Sequence, residues 1–114
     1  MGCALMHELA VAESIVDAVN EKLGSTQVRR VLVEVGRLSG VVPDALRFCW
    51  ELATTGTGLD GAELEIVRFP GRGRCRTCGS EFDTDDFITL CECGSADVDV
   101  LGGQELRIRE VEVV

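Results

Sequence analysis

Two thiol-bearing motifs constrain this chain more than anything else in it. They are Cys75-Arg-Thr-Cys78-Gly-Ser and Cys91-Glu-Cys93-Gly-Ser, separated by the twelve residues from Gly79 to Leu90. Two hairpin-like pairs of cysteines supply a tetrahedral donor set. The glycine after the second thiol of each pair permits a left-handed backbone that turns amide N–H groups toward the sulfurs. Zinc suits such a set because it takes four ligands and has no redox chemistry of its own. Paired disulfides and a thiol-disulfide redox protein are the competing readings. A reducing compartment opposes disulfides, and a redox Cys-x-x-Cys needs no second pair. Only Glu92 separates the cysteines of the second motif, so its turn is tighter than the usual two-residue version, which points to a site that is strained or loosely held.

The thiol-rich segment interrupts a regular pattern. Leu9, Ala12, Ile15, Val16, Val19 and Leu23 recur at helical spacing and predict an amphipathic helix from Met6 to Leu23, with Gly24 as its stop and Glu13, Asp17 and Glu21 on its outer face. Val28 to Gly36 alternates as a half-buried strand, with Val31, Val33 and Val35 on one side and Arg30, Leu32 and Glu34 on the other. Pro43-Asp44 opens a second helix that runs to about Thr55. Leu46, Cys49, Trp50 and Ala53 form its buried stripe, extended by Phe48 and Leu52, and Cys49 reads as core. Ala62 to Phe69 and Gln104 to Val114 are strand-like, the latter with a change of parity, hence a bulge, near Arg109. The fold class is therefore α+β: a small three-stranded sheet packed with two helices, plus an inserted four-cysteine zinc module. The two strands flanking the insert are expected to pair with each other and with the strand from Val28. Residues 1–70 and 104–114 form the α+β domain, and residues 71–103 the zinc-binding domain.

Charge narrows the function. Twenty acidic residues against eleven basic ones give a formal net charge of -9, which repels phosphate backbones. Arg72, Arg74 and Arg76 line the start of the cysteine module, so a zinc-ribbon module for protein interaction or nucleic-acid binding is an alternative. Against it, Glu81, Asp83, Asp85, Asp86, Glu92, Asp97 and Asp99 outnumber those arginines, and only Phe82 and Phe87 offer rings to stack on a base. No apolar run reaches the length of a membrane span and no secretory leader is visible, so a cytoplasmic protein without membrane attachment is expected. One histidine cannot build a Ser/His/Asp or Cys/His constellation, and no phosphate-binding glycine loop is present, so catalysis by this chain is not expected.

That one histidine, His7, lies between Met6 and Glu8 at the head of the first helix. By itself it reads as an exposed side chain or as a metal ligand. Met6-His7-Glu8, the helix–strand body, the late four-cysteine insert and the closing Leu106-Arg-Ile-Arg-Glu-Val-Glu-Val together resemble the HypA/HybF family of hydrogenase maturation nickel metallochaperones, over essentially Met6 to Val114. The resemblance implies Ni(II) bound by Met6, His7 and Glu8 and transported, and structural Zn(II) held by Cys75, Cys78, Cys91 and Cys93. It also implies delivery to the large subunit of a [NiFe]-hydrogenase, a HypB-type GTPase as partner, and a monomer or weak homodimer. The chemistry suits the cargo: Ni(II) accepts square-planar or octahedral nitrogen and oxygen sets, and an imidazole next to a chain-terminal amine closes chelate rings through the backbone nitrogen between them. Glu8 would add a backbone nitrogen or a carboxylate oxygen. The residues MGCAL before Met6 depart from this pattern because they place its nitrogen in a peptide bond. Either the working chain begins at Met6, or the extension rearranges the site, with Cys3 as a further donor or with a disordered tail.

Overall fold

In the computed structural model, which describes residues 2–24, 26–85 and 89–114 with side chains from His7 onward, eight elements follow one another. They are α1 (Gly2–Leu23), β1 (Val28–Gly36), α2 (Pro43–Thr54), β2 (Glu63–Phe69), β3 (Gly71–Cys75), β4 (Glu81–Thr84), β5 (Val98–Gly102) and β6 (Leu106–Val113). The side chains of Cys3 and Met6, and Asp86 and Phe87 as a whole, lie outside the described residues. The chain divides into two compact units: residues 1–33, 41–67 and 108–114 form one, and residues 34–40 and 68–107 the other.

The periodicity of α1 is met by burial of Ala12, Ile15, Val16 and Val19, while Glu13, Asp17 and Glu21 stay exposed. Gly24, at φ 59°, ends the helix and donates to the Asn20 carbonyl. The start differs from the expectation of a disordered tail, because the helix already runs from Gly2. In α2, Leu46, Cys49 and Trp50 are buried as expected, and Trp50 Nε1 donates to the Ala62 carbonyl at 2.9 Å. Phe48 and Leu52 do not extend this stripe; they are 61% and 62% exposed. At about 100° per residue Phe48 lies some 200° around the helix from Leu46, so their apolar character misled where angle decides. Thr54 is buried in addition, its hydroxyl donating to the Trp50 carbonyl at 2.8 Å.

The first sheet has the order β2-β1-β6. The flanking strands β2 and β6 thus pair with β1 and not with each other, which corrects the sequence expectation. The reason lies in β1: Val31, Val33 and Val35 have no exposed surface, as suits a central strand. From there Arg30 reaches both neighbours, Glu65 on β2 at 2.7 Å and Glu110 on β6 at 3.3 Å. Along β6, Leu106, Ile108 and Val111 are half-buried whereas Arg109 and Glu110 are both exposed, so the facing changes parity where the sequence placed a bulge.

The cysteine module carries a second antiparallel sheet, of order β4-β3-β5. Gly73 at its centre opposes Phe82 on one side and Val100 on the other. A Cβ there would stand 2.9 Å from Val98 Cγ1 and 3.4 Å from the Phe82 ring, so the missing side chain makes room for both.

Candidate metal centre

The sheet delivers the thiols. Cys75 is the last residue of β3, Cys78 follows in the turn toward β4, and Cys91 and Cys93 stand in the loop before β5. Both turns close in the same way. The Cys75 amide donates to the Ser80 carbonyl at 2.8 Å, and the Cys91 amide to the Ser95 carbonyl at 2.9 Å. Gly79 and Gly94 adopt φ of 80° and 92°, the left-handed conformation expected after each second thiol. The tighter second turn is absorbed by its hydrogen bond: Gly79 donates four residues back to Cys75, Gly94 only three back to Cys91. A bond between the hydroxyls of Thr77 and Ser95, 2.8 Å long, links the two turns.

All four sulfurs lie within 4.8 Å of one another. Cys75 Sγ is 3.7 Å from Cys93 Sγ, and Cys78 Sγ is 3.5 Å from Cys91 Sγ. Zinc–sulfur bonds of about 2.3 Å in a tetrahedron require sulfur separations of about 3.8 Å. A disulfide needs about 2.05 Å, and the described cysteines are all free. The electrostatics call for a cation. The Cys78 amide lowers the Cys75 thiol to about 6, and the Ser80 hydroxyl and amide lower that of Cys78. Cys91 is favoured as a thiolate by the Cys93 amide, yet burial and three neighbouring sulfurs push it up to about 12. Four thiolates in this volume repel one another unless a divalent ion stands among them, and Zn²⁺ meets both the spacing and the charge.

The arginines at the module's entrance are engaged within it. Arg72 bonds Asp83 at 2.9 Å, Arg74 bonds Glu81 at 3.0 Å, and Arg76 pairs with Asp99 and, at 3.6 Å, with Asp97. They form acid-neutralised ladders across β3 and its neighbours, which a phosphate backbone would have to displace.

At the other predicted site, His7 projects from α1 with 52% of its side chain exposed, and its Nδ1 lies 3.6 Å from Glu8 Oε2. Glu8 has no exposed surface. Its Oε2 accepts the Val42 amide at 2.8 Å, while Oε1 has no hydrogen-bond partner among the described residues. Val42 is the N-cap of α2, with no side-chain cap of its own. Glu8 therefore supplies from α1 the carboxyl that a capping box would place inside α2. No sequence motif marks this bond, which joins residues 34 positions apart. Because α1 begins at Gly2, the His7 and Glu8 amides fall where a helix directs its N–H groups at carbonyls four residues back.

The profile of the HypA family, described as hydrogenase/urease nickel incorporation, metallochaperone, matches residues 6–113. Similar proteins include the hydrogenase maturation factor HypA of Nostoc punctiforme, 47% identical over 108 residues that span 95% of this chain and 96% of that one. The HypA of Geotalea uraniireducens is 47% identical over 109 residues, 95% of this chain and 99% of its own. The solution structure of the Ni metallochaperone HypA from Helicobacter pylori superposes with a TM-score of 0.65 at 23% identity, covering 94% of this chain and 97% of that one, and so shares the fold. On its profile match and on these identities, the chain belongs to the HypA family of nickel metallochaperones for hydrogenase maturation.

Proposed function

We propose that this chain binds Ni(II) at Met6-His7-Glu8 and hands it to the large subunit of a [NiFe]-hydrogenase in the cytoplasm, working with a HypB-type GTPase, while zinc on Cys75, Cys78, Cys91 and Cys93 holds the module of residues 71–103. Residues 1–70 and 104–114 are the nickel-handling domain in this reading. The observation that carries it is the family match beginning at Met6, together with the half-exposed imidazole of His7, the chain's one histidine.

His7 supplies the imidazole, and the amides of His7 and Glu8 close chelate rings beside it. The Glu8 carboxyl is occupied by Val42, so its backbone nitrogen serves the metal better than its side chain. In a helix starting at Gly2 those amides are hydrogen-bonded, and metal must unwind the turn to take them. In a chain beginning at Met6 they fall among the first N–H groups of the helix, which have no carbonyl to bond. A set of few ligands from one flexible turn also lets metal leave, as delivery requires.

The test is a Ni(II) titration of zinc-loaded chains starting at Met1 and at Met6, with His7→Ala in each as the blank. Binding that depends on His7 and is tighter from Met6 supports the reading. Binding in neither chain, or binding untouched by His7→Ala, overturns it.

A further inference from the structure

The C-terminal strand is complementary to itself. Turned antiparallel about the point between Arg109 and Glu110, β6 sets Leu106 opposite Val113, Arg107 opposite Glu112, Ile108 opposite Val111 and Arg109 opposite Glu110. Every apolar residue meets an apolar one, and every arginine meets a glutamate. β6 is an edge strand of the sheet β2-β1-β6, and its outer edge offers a row of backbone donors and acceptors. We infer that this edge is a homodimer interface, in which two copies pair their β6 strands antiparallel about a two-fold axis between Arg109 and Glu110.

The parity change in β6 makes the match workable in three dimensions. In a regular strand Ile108 and Val111 face opposite sides, and a two-fold axis between residues would set Ile108 and the partner's Val111 on opposite faces of the joined sheet. Here Ile108, Val111 and Val113 line one groove of about 370 Å³ with Ala18, Val19 and Leu23 of α1. All three therefore face α1, and the pairing joins the two sheets with their first helices on the same side. The two grooves then lie on either side of the axis, and each copy's Val111 covers its partner's Ile108. The chain's own ion pairs favour the same register. Glu110 and Glu112 receive Arg30 and Arg29 from β1, and Arg107 reaches Glu34, so these three β6 charges are engaged from their own sheet, with capacity for a second partner across the axis. The result is a ladder of alternating charge running from one β1 to the other. The opposite edge has no such match: about its central Ile66, β2 sets Glu65 against Val67 and Leu64 against Arg68. A two-fold contact of this kind is self-complementary and closes at two copies.

The experiment is sedimentation velocity of the full zinc-loaded chain over a concentration series, in about 0.05 M and about 0.5 M salt, where exposed pairs are weakly and strongly screened. The unaltered chain should dimerise, less tightly in high salt. Arg109→Glu alone and Glu110→Arg alone each place like charges across the axis and should weaken the dimer at least about tenfold. Mixed one to one, the two variants restore opposite charges at both positions and should form a heterodimer of near-original affinity. Recovery on mixing also shows that each variant is folded. Should either variant fail to fold, hydrogen exchange of the unaltered chain decides: β6 amides should gain protection between dilute and concentrated samples. An unaltered chain that stays monomeric, a dimer indifferent to both reversals, no recovery on mixing of folded variants, or β6 exchange independent of concentration each overturns the inference.

Discussion

Glu8 is the residue whose role the structure changes most, and Glu8→Ala measures it. The substitution removes the acceptor of the Val42 amide, made at 2.8 Å, and α2 has no other side-chain cap at that position. The bond is part-buried and Val42 itself is half-exposed, so leaving its amide without this acceptor costs about 1 kcal/mol, the low end of the range for a buried donor. The one lost methylene, fully buried in the original, adds about 0.8 kcal/mol. Against these stands relief of Oε1, which is buried with no partner among the described residues and is itself unfavourable by about 1–3 kcal/mol. Taking about 1 kcal/mol for each of the two polar contributions, the balance is a loss of about 1 kcal/mol, or roughly 4 °C of melting temperature at about 4 °C per kcal/mol.

Glu8→Gln separates the contributions. Its carbonyl oxygen can still accept from Val42, and the amide exchanges an orphaned oxygen for an NH₂, so stability should stay within about 0.5 kcal/mol of the original. Urea unfolding of the zinc-loaded chain, followed by fluorescence, reads the difference directly, because Trp50 is the single tryptophan and sits buried in α2. Alanine below glutamine is the expected order. If alanine unfolds at the same urea concentration as the original chain, Glu8 does not cap α2 in solution, and a role confined to the metal returns.

Two further substitutions test the zinc-module unit. Gly36→Ala should destabilise by about 3 kcal/mol or more, because a Cβ there would stand 2.0 Å from the Gly103 carbonyl oxygen; a stable, zinc-retaining variant would show that the close approach is not needed. Removing zinc by chelation, or replacing Cys91 by Ser, should collapse the amide dispersion of β3, β4 and β5 in the NMR spectrum, since a short sheet with few buried apolar groups relies on its metal. Dispersion that survives with zinc demonstrably absent would make the four thiols incidental to the fold.

The elements of the first unit were legible because their signals are periodic. Alternating valines marked β1, helical spacing marked α1, and Pro43 with Asp44 marked the start of α2. The thiol site was legible because two close cysteine pairs recur and each second cysteine is followed by Gly-Ser, which needs only local geometry. What was not legible depends on partners distant in sequence. Strand order could not be read from alternation, although Arg30 between Glu65 and Glu110 explains it afterwards. Phe48 and Leu52 were drawn inward by hydrophobicity, yet the helix turns them outward. The sheet of the cysteine module was hidden because β3 alternates glycine with arginine, a pattern that reads as loop until the acids of β4 pair with it and Asp99 of β5 takes Arg76 just past its end.

Helix and metal compete for the same nitrogens at the head of α1, and that competition has a size. Freeing the amides of His7 and Glu8 from a helix that begins at Gly2 breaks two backbone hydrogen bonds, each worth about 1 kcal/mol net. Two of them lower nickel affinity by about 2 kcal/mol, or about 30-fold. A chain beginning at Met6 escapes that cost, since the same amides lie among the four that a helix start leaves unbonded, and it adds a terminal amine as donor. The titration of the two chains should therefore differ by at least about 30-fold, before the amine contributes anything. A smaller gap means that nickel leaves the helical amides alone and draws its other donors from elsewhere. A larger one makes the first turn of α1 the part of the molecule whose winding and unwinding decides whether metal is held or released.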